Sequence, residues 1–182
     1  MDNEVLVGAA ISLASFLIGF AVNRQTTKND RGTHISEVRF DKEFEIYQEL
    51  SEKNLTAVYD AGLTVPIVRG MYQDTPDKIS EHLEKLGMSM DDAEFSNKKF
   101  APFINKEIFQ KYKNLESMIK DLYKMFGFWT STFEGRFNYK GTLYSKEEAK
   151  EYIESKQKEI SALSDEILDD VRDYLQKLDV IK

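Results

Sequence analysis

Apolar residues are distributed along this chain in two different ways. From Val5 to Val22 they are continuous: the stretch VLVGAAISLASFLIGFAV carries no charge, and Ser12 and Ser15 are its only polar side chains. From about Ser36 onward they recur at helical intervals between charged residues. A continuous run needs surroundings that are apolar all round, whereas a periodic one needs a single buried face.

As a helix rising ~1.5 Å per residue, the continuous run covers roughly 27 Å, close to the thickness of a bilayer's hydrocarbon core. It therefore predicts a single transmembrane helix over residues 5–22, preceded by a short extracytoplasmic tail of residues 1–4. A cleaved signal peptide would need a positive start and a small-x-small cleavage site. Here Asp2 and Glu4 precede the run, and Ala21-Val22-Asn23-Arg24 closes it. Arg24, Lys28 and Arg31 form a basic flank on its C-terminal side. The positive-inside rule then puts the N-terminus outside and the rest in the cytoplasm, at the cell membrane. Gly8, Ser12, Ser15 and Gly19 recur at intervals of 4, 3 and 4 and share one face of this helix. Small residues let a second helix approach closely, so this is the expected helix-packing face, for self-association or a partner helix.

Residues 23–35 read as a polar linker, and residues 36–182 as a helical cytoplasmic domain. Phe40, Phe44, Tyr47, Ser51, Leu55 and Val58 mark the first helix, widened by Ile46 and Leu50. Gly62 and Pro66 should end or kink it, and Thr64 to Val68 suits a short extended piece. Thr75 and Pro76 open a second helix with Ile79, Leu83 and Leu86 on one edge, and Gly87 is placed to stop it. Met88 to Phe100 is open between loop and another short helix starting at Ser89.

The longest pattern spans about Pro102 to Phe137. Ile108, Tyr112, Leu115, Ile119, Leu122, Phe126, Trp129 and Phe133 alternate at intervals of 4 and 3, although Gly127 and Gly135 interrupt it. Asn138 to Tyr144 reads as a turn, and Ser145 with Glu148 as a capping box. The last helix carries Ile153, Ile160, Leu163, Ile167, Val171, Tyr174, Leu178 and Ile181. Two long helices joined by a short turn pack as an antiparallel hairpin. The fold class expected is all-α: one transmembrane helix, then an antiparallel three- or four-helix bundle. The heptads also permit a coiled-coil oligomer.

Composition narrows the chemistry. The chain has no Cys, which excludes disulfides, thiolate metal ligands and thiol catalysis. Its 32 acids outnumber 25 bases, for a net charge of −7, so no nucleic-acid partner is expected. Neither histidine, His34 or His82, has a second one at metal-ligand spacing, so no metal is expected. Phosphate-binding glycine loops and the nucleophile elbow are missing, and with them any sign of a cofactor or a catalytic residue. Paired acids such as Asp91-Asp92 and Glu147-Glu148 point about 100° apart on a helix and read as solvated faces.

The most distinctive composition lies between Phe126 and Tyr144. Of these aromatics, Trp129 and Phe133 continue the core stripe from Phe126. Phe128 falls off it, so Phe128, Tyr139 and Tyr144 are the expected partner-contact surface. The functional expectation is a membrane-anchored interaction module, an adaptor, inhibitor or sensor. The alternatives are a self-assembling single-pass protein of defence or phage-exclusion type, and an enzyme with no local motif. The partners expected are the bilayer, through residues 5–22, and either a second copy or another protein.

Overall fold

The computed structural model describes residues 34–71, 75–132 and 135–180. The expected span over residues 5–22, its small-residue face and its basic flank lie outside them. The chain divides into two compact units, Met1–Val38 with Lys182, and Arg39–Ile181. Only residues 34–38 of the first are described, and the packing below is that of the second.

The elements in order are α1 (His34–Gly62), α2 (Thr64–Val68), α3 (Pro76–Phe100), a 3-10 turn (Ala101–Phe103), α4 (Lys106–Ser131), β1 (Arg136–Tyr139), β2 (Thr142–Ser145) and α5 (Lys146–Val180). The protein is mostly helical, as the periodicity requires. Among the described residues no helix is long and apolar enough to cross a membrane.

Cross-links between helices fix their directions. Glu49 meets Lys99, Lys53 meets Asp92 and Asp60 meets Lys85, so α1 and α3 run oppositely. Lys120 of α4 reaches Glu94 of α3 at 2.6 Å, and Gly87 lies against Tyr123, so those two also run oppositely. Lys111 pairs with Glu166 and Asp170 of α5, while the strands join the other ends of α4 and α5. Tyr174 donates to Glu43 at 2.8 Å, closing α5 back onto α1. Each long helix therefore runs against its sequence neighbour, up-down-up-down.

The α4 stripe is buried as its spacing demands: Ile108, Tyr112, Leu115, Ile119, Leu122 and Phe126, with Met125 beside them. Each buried aliphatic or aromatic side chain contributes about 1.5–3 kcal/mol. Asn105 caps this helix by accepting from the Glu107 and Ile108 amides. Ser145 and Glu148 form the reciprocal capping box at the start of α5, at 2.7 and 3.2 Å.

Several expectations need correction. His34 is the first residue of α1 rather than part of the linker. Thr64–Val68 is a helical turn, because Pro66 sits in a first turn whose amides need no helical partner. Gly87 does not stop α3, which runs on through Met88–Phe100. The buried face of that continuation is Ser89, Ala93, Ser96, Asn97 and Phe100, small or polar at most positions and so faint in a hydrophobicity pattern.

The α4 helix ends at Ser131, and Phe137 belongs to a strand instead. The expected turn over Asn138 to Tyr144 is part of a two-stranded antiparallel hairpin, pairing Arg136 with Ser145 and Tyr139 with Thr142. Lys140 and Gly141 both have positive φ, 50° and 83°, the backbone of the tight turn that matches strand twist. Asn138 Oδ1 accepts from the Gly141 amide at 3.0 Å and fixes it.

Part of the interior is polar. Asn54 and Asn97 face each other, and the Ser51 and Tyr112 hydroxyls share a hydrogen bond of 3.3 Å. Here α1 turns a different edge inward than expected: Asn54, Ala57 and Ala61 are buried, while Leu55 and Val58 are half-exposed. In α5, Ser164 and Leu175 are buried, with Leu163, Tyr174 and Leu178 half-exposed. Burial pushes the Tyr112 hydroxyl up to about 12, against the pull of its bond to Ser51. Asp60 is 1 % exposed, and neither carboxylate oxygen accepts a hydrogen bond among the described residues. Lys85 Nζ is 3.2 Å from Oδ1, close enough for an ion pair but not aligned for a hydrogen bond.

Candidate functional site

The hairpin packs its alternating side chains against the ends of α4 and α5. Phe137 and Tyr139 fall on one face of β1, and Tyr144, opposite Phe137, falls on the same face of β2. Their rings form a connected array. Phe128 stacks on Phe137 at 5.5 Å, and Phe137 on Tyr144 at 6.1 Å. Tyr144 and Tyr139 each meet Tyr152 of α5 edge-on, at 6.0 and 6.4 Å. Such offset and edge-to-face pairs add about 0.5–1.5 kcal/mol each beyond area burial.

The three expected contact residues take different positions in this array. Tyr139 is buried, which removes it from any surface role, and its hydroxyl donates to Asp121 at 3.3 Å. Tyr144 is half-buried between Phe137 and Tyr152. Phe128 is 41 % exposed, on the outside of the array. The structure thus brings all three together, with Phe128 the most open to solvent. Leu143, which the sequence pattern did not single out, is also exposed, on the opposite hairpin face beside Asn138.

Electrostatics at this end are local. Both Lys140 Nζ contacts to Asp121 are 2.8 Å, and the hydrogen bond raises the lysine's pKa. Desolvation raises the Tyr139 hydroxyl, and the Asp121 charge adds to it. Lys146 lies 4.7 Å from the centre of the Trp129 ring, a cation–π contact at the hairpin exit.

His82 is half-buried, with its ring edge-on to Phe126 at 5.9 Å. Among the described residues no three His, Asp or Glu side chains are grouped to hold a metal ion. The arrangement offers aromatic contact area framed by Lys140 and Lys146.

A second exposed feature lies on α3. Met88 and Phe95 are 65 % and 70 % exposed, one heptad apart on the same helix. The sequence pattern missed this pair because the segment carrying it was open between helix and loop.

No family model, curated protein or solved structure matches this chain.

Proposed function

We propose that the protein is a membrane-anchored helical interaction module: an adaptor, inhibitor or sensor that holds a partner at the inner face of the membrane. The observation that supports it most is the uncharged Val5–Val22 run with Arg24, Lys28 and Arg31 beyond it. The helical unit with its exposed aromatics is the binding part of this reading. Tethering confines a partner to the membrane surface and raises its effective concentration there.

The test is alkaline carbonate extraction of membranes holding the full chain, followed by protease treatment of right-side-out and inverted vesicles. Retention in the pellet, with digestion of the helical unit in inverted vesicles alone, is the expected result. Release by carbonate, or digestion from the outer side, overturns the proposal.

One observation favours a second reading, self-assembly through the span. The Gly8, Ser12, Ser15 and Gly19 stripe has the spacing of a close helix–helix contact. Under that reading, Gly8→Ile with Gly19→Ile abolishes a crosslinked ladder while leaving membrane insertion intact. An unchanged ladder removes it.

A further inference from the structure

The outward side of α3 carries Glu81, Glu84, Met88, Asp91 and Phe95 at intervals of 3, 4, 3 and 4. That spacing puts all five on one stripe. The opposite side of the helix, with Leu86, Ala93, Asn97 and Phe100, is buried in the bundle. A single exposed apolar residue needs no explanation. Here a large aromatic and a flexible thioether share one line at the heptad interval, the form of a paired helix anchor.

The charges around this line are unequal. Of the α3 lysines, Lys85 pairs with Asp60, Lys98 with Glu94 and Lys99 with Glu49, while Lys78 lies one turn before Glu81, at the far end from the apolar pair. Asp92 is answered by Lys53 at 3.1 Å. Glu81, Glu84 and Asp91 have no ion pair among the described residues. Two apolar anchors are thus bracketed by three acids that form no ion pair among the described residues.

We propose that the Glu81–Glu84–Met88–Asp91–Phe95 stripe of α3 docks a basic amphipathic helix of a partner protein. This names the partner's chemistry and rests on the interaction-module reading. Apolar residues seven apart on the partner cover Met88 and Phe95, and Lys or Arg at the intervening positions answer the three acids. A second copy fits worse. Antiparallel α3 helices that set Met88 on Phe95 bring Asp91 and Asp92 of one copy against the same pair of the other. An anionic bilayer meets the same repulsion.

The test uses the full chain in mild non-ionic detergent and two labelled heptad peptides, one of Leu and Lys, the other of Leu and Glu. Fluorescence anisotropy is expected to show binding of the Lys peptide alone. Phe95→Ser should weaken it about tenfold, the loss of one aromatic anchor. Glu84→Lys with Asp91→Lys should reverse the preference to the Glu peptide. These positions are exposed or at the rim, and circular dichroism of each variant checks that the helices persist.

Equal binding by the wild type and Phe95→Ser overturns the proposal, as does a preference unmoved by charge reversal, or no binding at all. A dimer in sedimentation velocity that Phe95→Ser dissolves assigns the stripe to a second copy and also overturns it. Release of the chain by carbonate, with peptide binding retained, removes the membrane anchor and leaves the α3 site standing.

Discussion

Asn54 and Asn97 meet inside the bundle as a reciprocal amide pair. Asn54 Nδ2 donates to Asn97 Oδ1 at 2.9 Å, and Asn97 Nδ2 returns a bond to Asn54 Oδ1 at 3.4 Å. Asn54 Nδ2 also donates to the Leu50 carbonyl at 2.8 Å, so both of its amide protons are used. A buried pair of this kind is satisfied only when α1 and α3 hold one register. Replacing Asn97 by Ala should cost about 1–3 kcal/mol, because Asn54 is left buried with bonds unmade. Replacing both by Leu should cost less than the two single changes added together. Denaturant midpoints for the two single variants and the double one measure this, and strict additivity would show that the amides do not act as a pair.

Acid sensitivity should trace to a chain of charges along α3 and α4. Lys120 bonds Glu94 at 2.6 Å and Glu116 at 2.8 Å, and Lys113 bonds Glu116 as well. Hydrogen bonds from Lys120 and Lys98 hold the Glu94 carboxyl well below the usual range, at about 2. For Glu116, burial opposes ionisation, but the lysine bonds together outweigh it and its pKa is lowered too. A depressed carboxylate contributes stability that is complete above its unfolded value of about 4.3. For Glu94 that contribution is lost as pH falls from there through about 2. Lys120→Met should therefore move the acid-unfolding transition, followed by circular dichroism, to higher pH. An unmoved transition would mean that these pairs add nothing to stability.

Phe128 and Phe126 should respond very differently to truncation. Phe126 is fully buried, and Phe126→Ala should cost about 3–5 kcal/mol. Phe128 loses mainly its stacking on Phe137 and Tyr139, so Phe128→Ala should cost about 1 kcal/mol while weakening any partner held at the hairpin end. Thermal unfolding separates the two. A large Tm loss for Phe128→Ala would show that its role is structural.

Two glycines make opposite predictions. A methyl group at Gly127, inside α4, meets nothing within 4 Å, so Gly127→Ala should stabilise the helix by up to ~1 kcal/mol. Gly141 has φ of 83°, where a Cβ is strained, so Gly141→Ala should destabilise by about 1–2 kcal/mol. Chemical denaturation of both variants checks the sign of each.

The parts of this fold that show in the sequence are those built by aliphatic spacing and by caps. The α4 stripe from Ile108 to Phe126 and the Ser145–Glu148 box could be read directly, because each rests on local periodicity. The second half of α3 could not, since tertiary contact buries Ser89, Ser96 and Asn97 there and those residues carry no apolar signal. The inward edge of α1 departs from the expected stripe after Ser51 for the same reason, with Asn54 and Ala57 buried in place of Leu55 and Val58. The hairpin was legible as a turn only: strands of four residues are too short for alternation to separate from the helical stripe that precedes them. At the aromatic end, the rings grouped in the sequence do group in space. How far Tyr139 and Tyr144 are covered depends on the strand register, which periodicity does not carry.

The contact between Glu43 and Tyr174 spans 131 positions. At about 5–20 residues per second, the ribosome needs on the order of ten seconds to produce the second residue after the first. During that interval α1 can lie against α3 but has no α5 to meet, and the part of its inward face around Glu43 is open to chaperones or to the wrong neighbour. The α4–α5 pair, joined by its own hairpin, has no such wait. Among the described helices, α1 is therefore made first yet completed only when the last one, α5, arrives.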